Sequence, residues 1–194
     1  MNNAILKSGF VGGHETTDDD LALINQQTTK ELTADDVYTF KVRLCDNAVD
    51  RDSERFDTDA LKTLAEMFVG KTMISDHTWK SDNQCARVYK TEVIEQNGET
   101  PFGEKYAELI GYAYTLKSMS DLIELIEGGI KREVSVGCAI SSAICSVCGA
   151  DWFNGRCQHR GGKEYDGISC WITLKNPTDA YEISFVAVVA PHAG

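Results

Sequence analysis

The sequence predicts an α+β domain built on a mainly antiparallel β-sheet or barrel, ringed by a few helices. Segments with the alternation of strands outnumber segments with helical spacing, and the two kinds do not alternate as they do in a parallel α/β fold. The 194 residues suit one domain that can bury its own core. We find no internal repeat in the chain.

The predicted elements follow from hydrophobic periodicity and from turn residues. VYTFKVRLC, at residues 37–45, has apolar side chains at every second position from Tyr38 to Leu44, which predicts a half-buried strand. One helix is predicted with Thr58 as its N-cap and Gly70 at its close, and a second from Ser120 to Gly128. Six further strands are predicted, at residues 72–75, 86–94, 106–116, 133–140, 168–174 and 181–189.

The chain is predicted to have two parts. Residues 1–30 are polar, with Gly12, Gly13 and an acidic run at 18–20, so we expect a flexible N-terminal arm. Residues 31–194 then form the folded domain, with a small zinc-ribbon-like insert at about 143–172.

Charge and hydropathy exclude several classes of partner. The formal net charge of −11 repels phosphate backbones, and the basic residues are scattered, so no nucleic acid is expected as a partner. No run of eighteen apolar residues and no secretory signal is evident, so we expect a cytoplasmic protein that does not enter a membrane. An odd count of seven cysteines then favours reduced thiols over disulfides.

Four residues have the spacing of a zinc site. Cys145 and Cys148 form a CxxC pair, and Cys157 and His159 form a CxH pair after a short turn-rich loop. Cys170 is an alternative fourth ligand. With four protein ligands the zinc is structural; a catalytic zinc and unliganded surface thiols remain alternatives, although no HExxH-type base is nearby.

A serine, a histidine and a glutamate are the other candidates for chemistry. Ser135 lies in the strand-like run EVSVG, on the same predicted face as Glu133 and Gly137. His77 follows a predicted strand, whereas the other three histidines lie in the arm, in the metal motif or near the end of the sequence. Glu182 is a carboxylate within the apolar strand AYEISFVAVVA and therefore needs a partner. Each residue alone fits an ordinary structural role, and spacing does not show that they meet.

Three segments together carry a resemblance to a known family. GKTMISDH, KREVSVGC and AYEISFVAVVA, in this order, resemble the prohead, or capsid maturation, serine proteases of tailed bacteriophages, and the likeness covers residues 21–194. The insert CSVCGADWFNGRCQH with GKEYDGISCW resembles the version found in prophages of Gram-positive bacteria. These enzymes are similar in fold to herpesvirus assemblins, which implies a seven-stranded, mostly antiparallel barrel with serine and histidine on neighbouring strands.

The resemblance implies a Ser-His-Glu mechanism. It makes Ser135 the nucleophile, His77 the general base and Glu182 the residue that orients the histidine, although Asp76 and Asp179 lie near the same segments. Cys138 is a rival nucleophile whose strand parity instead predicts a core position. Backbone N–H groups near Gly137 or in the turn after residue 189 are candidate oxyanion donors.

The implied activity is endoproteolysis during assembly of a virion. The expected substrates are the scaffold, the major capsid protein and the protease itself, cut inside the procapsid in the host bacterial cytoplasm. The resemblance also implies a weak homodimer and catalysis that needs no cofactor besides a structural zinc. Two alternatives stay open: a zinc-ribbon-bearing capsid assembly or scaffold-binding module without catalysis, and a metal-dependent hydrolase.

Overall fold

A computed structural model describes residues 5–155 and 157–187, with only the backbone described for residues 5–10. Its helices are α1 (Asp18–Asn25), α2 (Thr58–Phe68) and α3 (Ser120–Glu127). Its strands are β1 (Ile5–Gly13), β2 (Val37–Asp46), β3 (Glu54–Phe56), β4 (Thr72–Ser75), β5 (Ala86–Glu99), β6 (Lys105–Leu116), β7 (Glu133–Cys145), β8 (Glu164–Tyr165), β9 (Ile168–Ser169) and β10 (Ile172–Phe185). The predicted α+β class, rich in strands, is confirmed.

Eight of the strands form one curled sheet. The hydrogen-bonded order is β3-β10-β4-β5-β6-β2-β1-β7, and β7 also pairs with β10. The series of pairings that starts at β4 and runs through β5, β6, β2, β1, β7 and β10 therefore returns to β4. The sheet curls round the core as a result. All pairs are antiparallel except those of β10 with β3 and β4, which are parallel. None of the helices in the described ranges has the length and apolar character needed to cross a bilayer.

The hydrophobic core lies between the curled sheet and α2. Phe40, Val42 and Leu44 of β2 are fully buried, as their alternation predicts. Helix α2 buries Leu61, Leu64 and Phe68 at helical spacing. Its N-cap is Asp57 and not the predicted Thr58. The Asp57 carboxylate accepts the N–H of Ala60 at 2.8 Å, and an anion at this end also complements the helix dipole.

The first thirty residues contain more structure than the predicted flexible arm. Strand β1 pairs with β2 on one side and with β7 on the other. Helix α1 begins at a capping box, in which the side chains of Thr17 and Asp20 each accept a hydrogen bond from the other's backbone N–H. The polar, glycine-containing sequence does not predict β1, because that strand is stabilised by pairing with strands that are distant in the chain.

Other predicted boundaries also change. The two strands predicted at 168–174 and 181–189 become the short β9 and a continuous β10, which crosses Pro177 with two register shifts against β7. Strand β7 runs five residues further than predicted, to Cys145. Residues 188–189 of the predicted last strand lie outside the described residues. The predicted insert lies between β7 and β10 and contains the β8–β9 pair.

Candidate functional site

Strands β7 and β10 bring two of the three predicted catalytic residues to one face of the sheet. Ser135 is directly opposite Ser184, and Gly137 is opposite Glu182, in the antiparallel pairing of the two strands. Positions two apart on a strand share a face, so all four residues are on the same face. Ser135 is 8% exposed and Glu182 only 3%. Glu182 therefore needs polar partners within the protein.

His77 is the partner of Glu182. It follows β4, which runs parallel to the end of β10 and pairs Ser75 with Phe185. The imidazole Nδ1 lies 2.7 Å from Glu182 Oε1, a distance typical of a charge-assisted hydrogen bond. Of the other two candidate carboxylates, Asp179 contacts Lys71 at 3.6 Å, and neither it nor Asp76 forms an ion pair with His77 within the described residues.

The turn that presents His77 has an unusual backbone. Asp76 and His77 both have positive φ, 52° and 51°, a conformation that costs a non-glycine residue on the order of 1 kcal/mol or more and that often occurs at functional sites. Hydrogen bonds hold it in place. The Asp76 N–H donates to the Phe185 carbonyl at 3.0 Å, and the Asn83 side chain donates to the carbonyls of Ser75 and Thr78 at 2.9 Å each.

Ser184 is a part of the site that sequence reasoning did not identify. Its buried hydroxyl accepts the backbone N–H of His77 at 3.0 Å and donates to Glu182 Oε2 at 2.7 Å. Glu182 thus receives a hydrogen bond on each carboxylate oxygen, and the His77 backbone is tied to the same strand. The signal was a serine two residues after the glutamate, in EIS, which places both side chains on one face.

Gly137 lies directly against the carboxylate of Glu182. In the structure, a Cβ at Gly137 would lie 2.8 Å from Glu182 Oε1, closer than real Cβ contacts. The glycine therefore makes room for the carboxylate that contacts His77.

The Ser135 hydroxyl has no hydrogen-bond partner among the described residues, so the contact between serine and histidine is not formed in this structure. Such contacts are often long in the absence of substrate and tighten when it binds.

Cys138 is fully buried in the core, in agreement with its strand parity. The candidate oxyanion donors after residue 189 and the histidine at position 192 lie outside the described residues.

This arrangement has the parts of a general-base pair. With Nδ1–H donated to Glu182, the tautomer of His77 leaves Nε2 as the acceptor for a proton. A carboxylate fixed by two hydrogen bonds orients the ring and stabilises the imidazolium that forms when Nε2 takes a proton. The neighbouring strand β7 carries a serine, Ser135, on the same face of the sheet.

The predicted metal ligands also come together. One ligand atom from each of Cys145, Cys148, Cys157 and His159 lies within 4.8 Å of all the others. His159 Nδ1 lies 3.6 Å from the Cys145 sulfur and 3.7 Å from the Cys157 sulfur, and the sulfurs of Cys148 and Cys157 are 3.6 Å apart. Ligands about 2.1–2.3 Å from a tetrahedral zinc lie about 3.5–3.8 Å from each other, so the spacing fits this ion.

The CxxC turn also favours a thiolate. Although burial opposes ionisation of Cys145, the backbone N–H groups of Cys148 and Val147 point at its sulfur and lower the pKa of the thiol. Gly149, with φ +68°, follows the second cysteine and turns the chain back. These four residues can hold a metal ion such as zinc. The ion would cross-link the insert, because all four ligand positions are filled by protein.

Cys170 lies beside this cluster. Its sulfur is 3.9 Å from that of Cys145, and burial raises the pKa of its thiol to about 11. It does not belong to the set of four whose ligand atoms are all mutually close. The described geometry thus favours His159 as the fourth ligand and places Cys170 at the edge of the cluster.

Comparison of the chain with protein-family models, curated proteins and solved structures found no match.

Proposed function

We propose that the protein is a serine endopeptidase, with Ser135 as nucleophile, His77 as general base and Glu182 as the residue that orients the base. One observation carries the proposal. The buried carboxylate of Glu182 contacts His77 Nδ1 at 2.7 Å, and the neighbouring strand places Ser135 opposite Ser184, two residues after Glu182. Gly137 and Ser184 both support that contact. Such support is expected of a preorganised site and has no evident purpose in a surface histidine.

The proposed reaction is acyl transfer in two halves. The oxygen of Ser135 attacks the carbonyl carbon of the scissile peptide bond while its proton passes to His77 Nε2. The tetrahedral intermediate collapses as the leaving amine takes that proton, which leaves an acyl-ester on Ser135. A water molecule then attacks the ester with His77 again as the base, and the serine is released. The hydrogen bond between the Ser135 hydroxyl and His77 must form before the first step.

The biological setting rests on the resemblance to prohead proteases. In this setting the protein has an assemblin-like fold, forms a weak homodimer and acts within the procapsid in the host bacterial cytoplasm. Its substrates are the scaffold, the major capsid protein and its own chain. Enclosure with the substrates raises their effective concentration, so modest intrinsic activity is enough. The curled, mainly antiparallel sheet of this chain supports the setting.

The test is active-site labelling. The concentrated protein is treated with a fluorophosphonate probe and digested, and the modified residue is identified by mass spectrometry. We expect labelling at Ser135 that is lost in His77→Ala. Ser141→Ala is the matched control, because Ser141 is an exposed serine on the same strand, and it should label at the parent rate.

Three outcomes overturn the proposal in different ways. No labelling at Ser135, at concentrations that enforce self-association and with the fold intact by circular dichroism, favours the binding module, which keeps the fold and the cysteines but acts by docking to coat protein. Labelling that is undiminished in His77→Ala shows that His77 is not the base. Activity that a chelator abolishes before the protein unfolds favours the metal-dependent hydrolase.

A further inference from the structure

A cavity of about 570 Å³ opens beside Glu182, and Ser135 is not among the residues that line it. One wall is the segment of β10 from Asp179 to Glu182. The other wall is formed by residues at the start of β4 and β5, including Lys71 and Arg87. Trp79 and Lys80, which directly follow the His77 turn, close one end. We call this cavity the groove.

The charge of the groove is opposite to that of the molecule. The chain has a formal net charge of −11, yet Lys71, Lys80 and Arg87 line the groove. The acids on its walls are already engaged, since Asp179 contacts Lys71 and Glu182 contacts His77. Arg87 is held by the carbonyl of Gly70 at 2.7 Å and by the side chain of Gln84 at 3.2 Å.

Two of these cations lack a carboxylate partner. Within the described residues, neither Lys80 nor Arg87 has a carboxylate within 4.0 Å. In a strongly acidic protein, two such cations on the wall of one cavity form a local positive site. Anionic groups on a ligand would complete it.

The groove also presents an aromatic surface. Trp79 is 68% exposed, the largest exposure of any tryptophan in the described residues, and its ring lies 5.6 Å from that of Tyr181. A largely exposed tryptophan that packs against a half-buried tyrosine beside such cations is typical of a recognition site. Such a pair offers an apolar side chain of a peptide a contact next to the positive charges.

We propose that the groove is the specificity subsite of the protease and binds an acidic segment of the substrate next to an apolar residue. This inference rests on the proposed function. Ser135 is opposite Ser184 of β10. Along β10 towards its start, the lining of the groove begins at Glu182, two residues before Ser184, and ends at Asp179, five residues before it. An extended peptide rises about 3.3 Å per residue, so the acidic residues lie about two to five positions from the scissile bond.

The experiment compares two fluorescein-labelled peptides. One contains several glutamates beside a leucine and the other replaces the glutamates with glutamines. Binding to Ser135→Ala protein is measured by anisotropy. We expect the glutamate peptide to bind at least several-fold more tightly, and Lys80→Glu to remove most of the difference, since an exposed charge pair changes affinity by about 2–5-fold and a reversal adds repulsion.

Lys105→Glu is the matched control. It makes the same change of charge at an exposed lysine that lies opposite Glu99 in the β5–β6 pairing, about twelve residues from Arg87 along β5. The ammonium group of Lys105 contacts the Glu95 carboxylate at 3.3 Å. The substitution should leave the preference unchanged. In the catalytic protein, cleavage of a positional peptide library should show acidic residues two to five positions from the cut, and Lys80→Glu should abolish that preference while Lys105→Glu keeps it.

The outcomes separate the two proposals. Labelling of Ser135 with no preference for the glutamate peptide contradicts the proposed role of the groove and agrees with the proposed protease activity. A preference that Lys80→Glu and Lys105→Glu reduce equally has the same meaning. A preference that Lys80→Glu removes, in a protein whose Ser135 does not label, supports the groove as a binding site for acidic peptides and overturns the protease.

Discussion

The candidate active site and the cysteine cluster lie at opposite ends of the same two strands. Strand β7 carries Ser135 near its beginning and Cys145 at its end, while β10 begins two residues after Cys170 and carries Glu182 near its end. Ten residues of strand span roughly 30 Å. A metal held by the cluster is therefore too distant to act on a bond at Ser135 in the same chain.

The two regions are also stabilised in different ways. His77, Glu182 and Ser184 are joined by direct hydrogen bonds, and two of the three are buried within the sheet. Between β7 and β10 the described residues form the two-residue strands β8 and β9 and one short 3-10 helix, Trp152–Asn154, and Phe153 and Ile168 are exposed. A metal ion held by the cluster would supply the cross-link that a segment with so little core needs. Function and stability should therefore respond to different mutations.

The sharpest test of this comparison pairs Ser135→Ala with Cys145→Ser. We expect Ser135→Ala to lower activity by about a thousandfold or more, because the proposed nucleophile is lost, with little change in the midpoint of thermal unfolding. Cys145→Ser should lower the free energy of unfolding by about 2–5 kcal/mol, as expected for loss of a structural cross-link. Activity assays, thermal melts and native mass spectrometry for one zinc per chain measure the three quantities.

Equal melting temperatures in the two variants, with no metal in the parent protein, would contradict the expectation that the cysteine cluster, and not Ser135, stabilises the fold. Removal of zinc by a chelator should reproduce the effect of Cys145→Ser. It should not change the initial rate at which Ser135 is labelled while the sheet remains folded.

A smaller effect is expected from Gly137→Ala. The new Cβ would lie 2.8 Å from Glu182 Oε1 and would push the carboxylate away from His77. We expect a loss of about 1–3 kcal/mol in stability and about a tenfold to hundredfold loss of activity. Gly98→Ala is the control, since a Cβ added there would have no atom within 4 Å and the backbone needs no positive φ. Wild-type activity in Gly137→Ala would show that the tight contact has no role in the reaction.

The smallest effect is expected from Ser184→Ala. The change leaves the His77 N–H and one oxygen of Glu182 without the partner that they now share, at a cost of about 1–3 kcal/mol. Activity should fall about tenfold, because His77 and Glu182 remain but are held less firmly. Kinetics and thermal melts of Ser184→Ala beside Ser135→Ala measure both effects. A loss as large as that of Ser135→Ala would instead assign Ser184 a direct part in the chemistry.

Much of the fold could be predicted from local patterns. The alternation in β2, the helical spacing in α2 and α3, and the limits of β4 all come from side chains that meet neighbours nearby in sequence. Strand β1 could not be predicted, because its pairing partners lie about thirty or more residues away along the chain. The continuity of β10 through Pro177 depends likewise on β7 beside it.

The amino-acid order was enough to identify the candidate residues: a CxxC and a CxH that close on one centre, a serine in a strand, and a glutamate in an apolar strand that needed a partner. Ligands separated by a short loop must lie close together, so the metal cluster could be predicted from spacing. Tertiary contacts were needed to show that Glu182, and not Asp76 or Asp179, contacts His77, and that Ser184 and Gly137 hold the pair. Those contacts join β4 to β10 across more than a hundred residues, and their geometry depends on the register of strands that spacing in the chain does not fix.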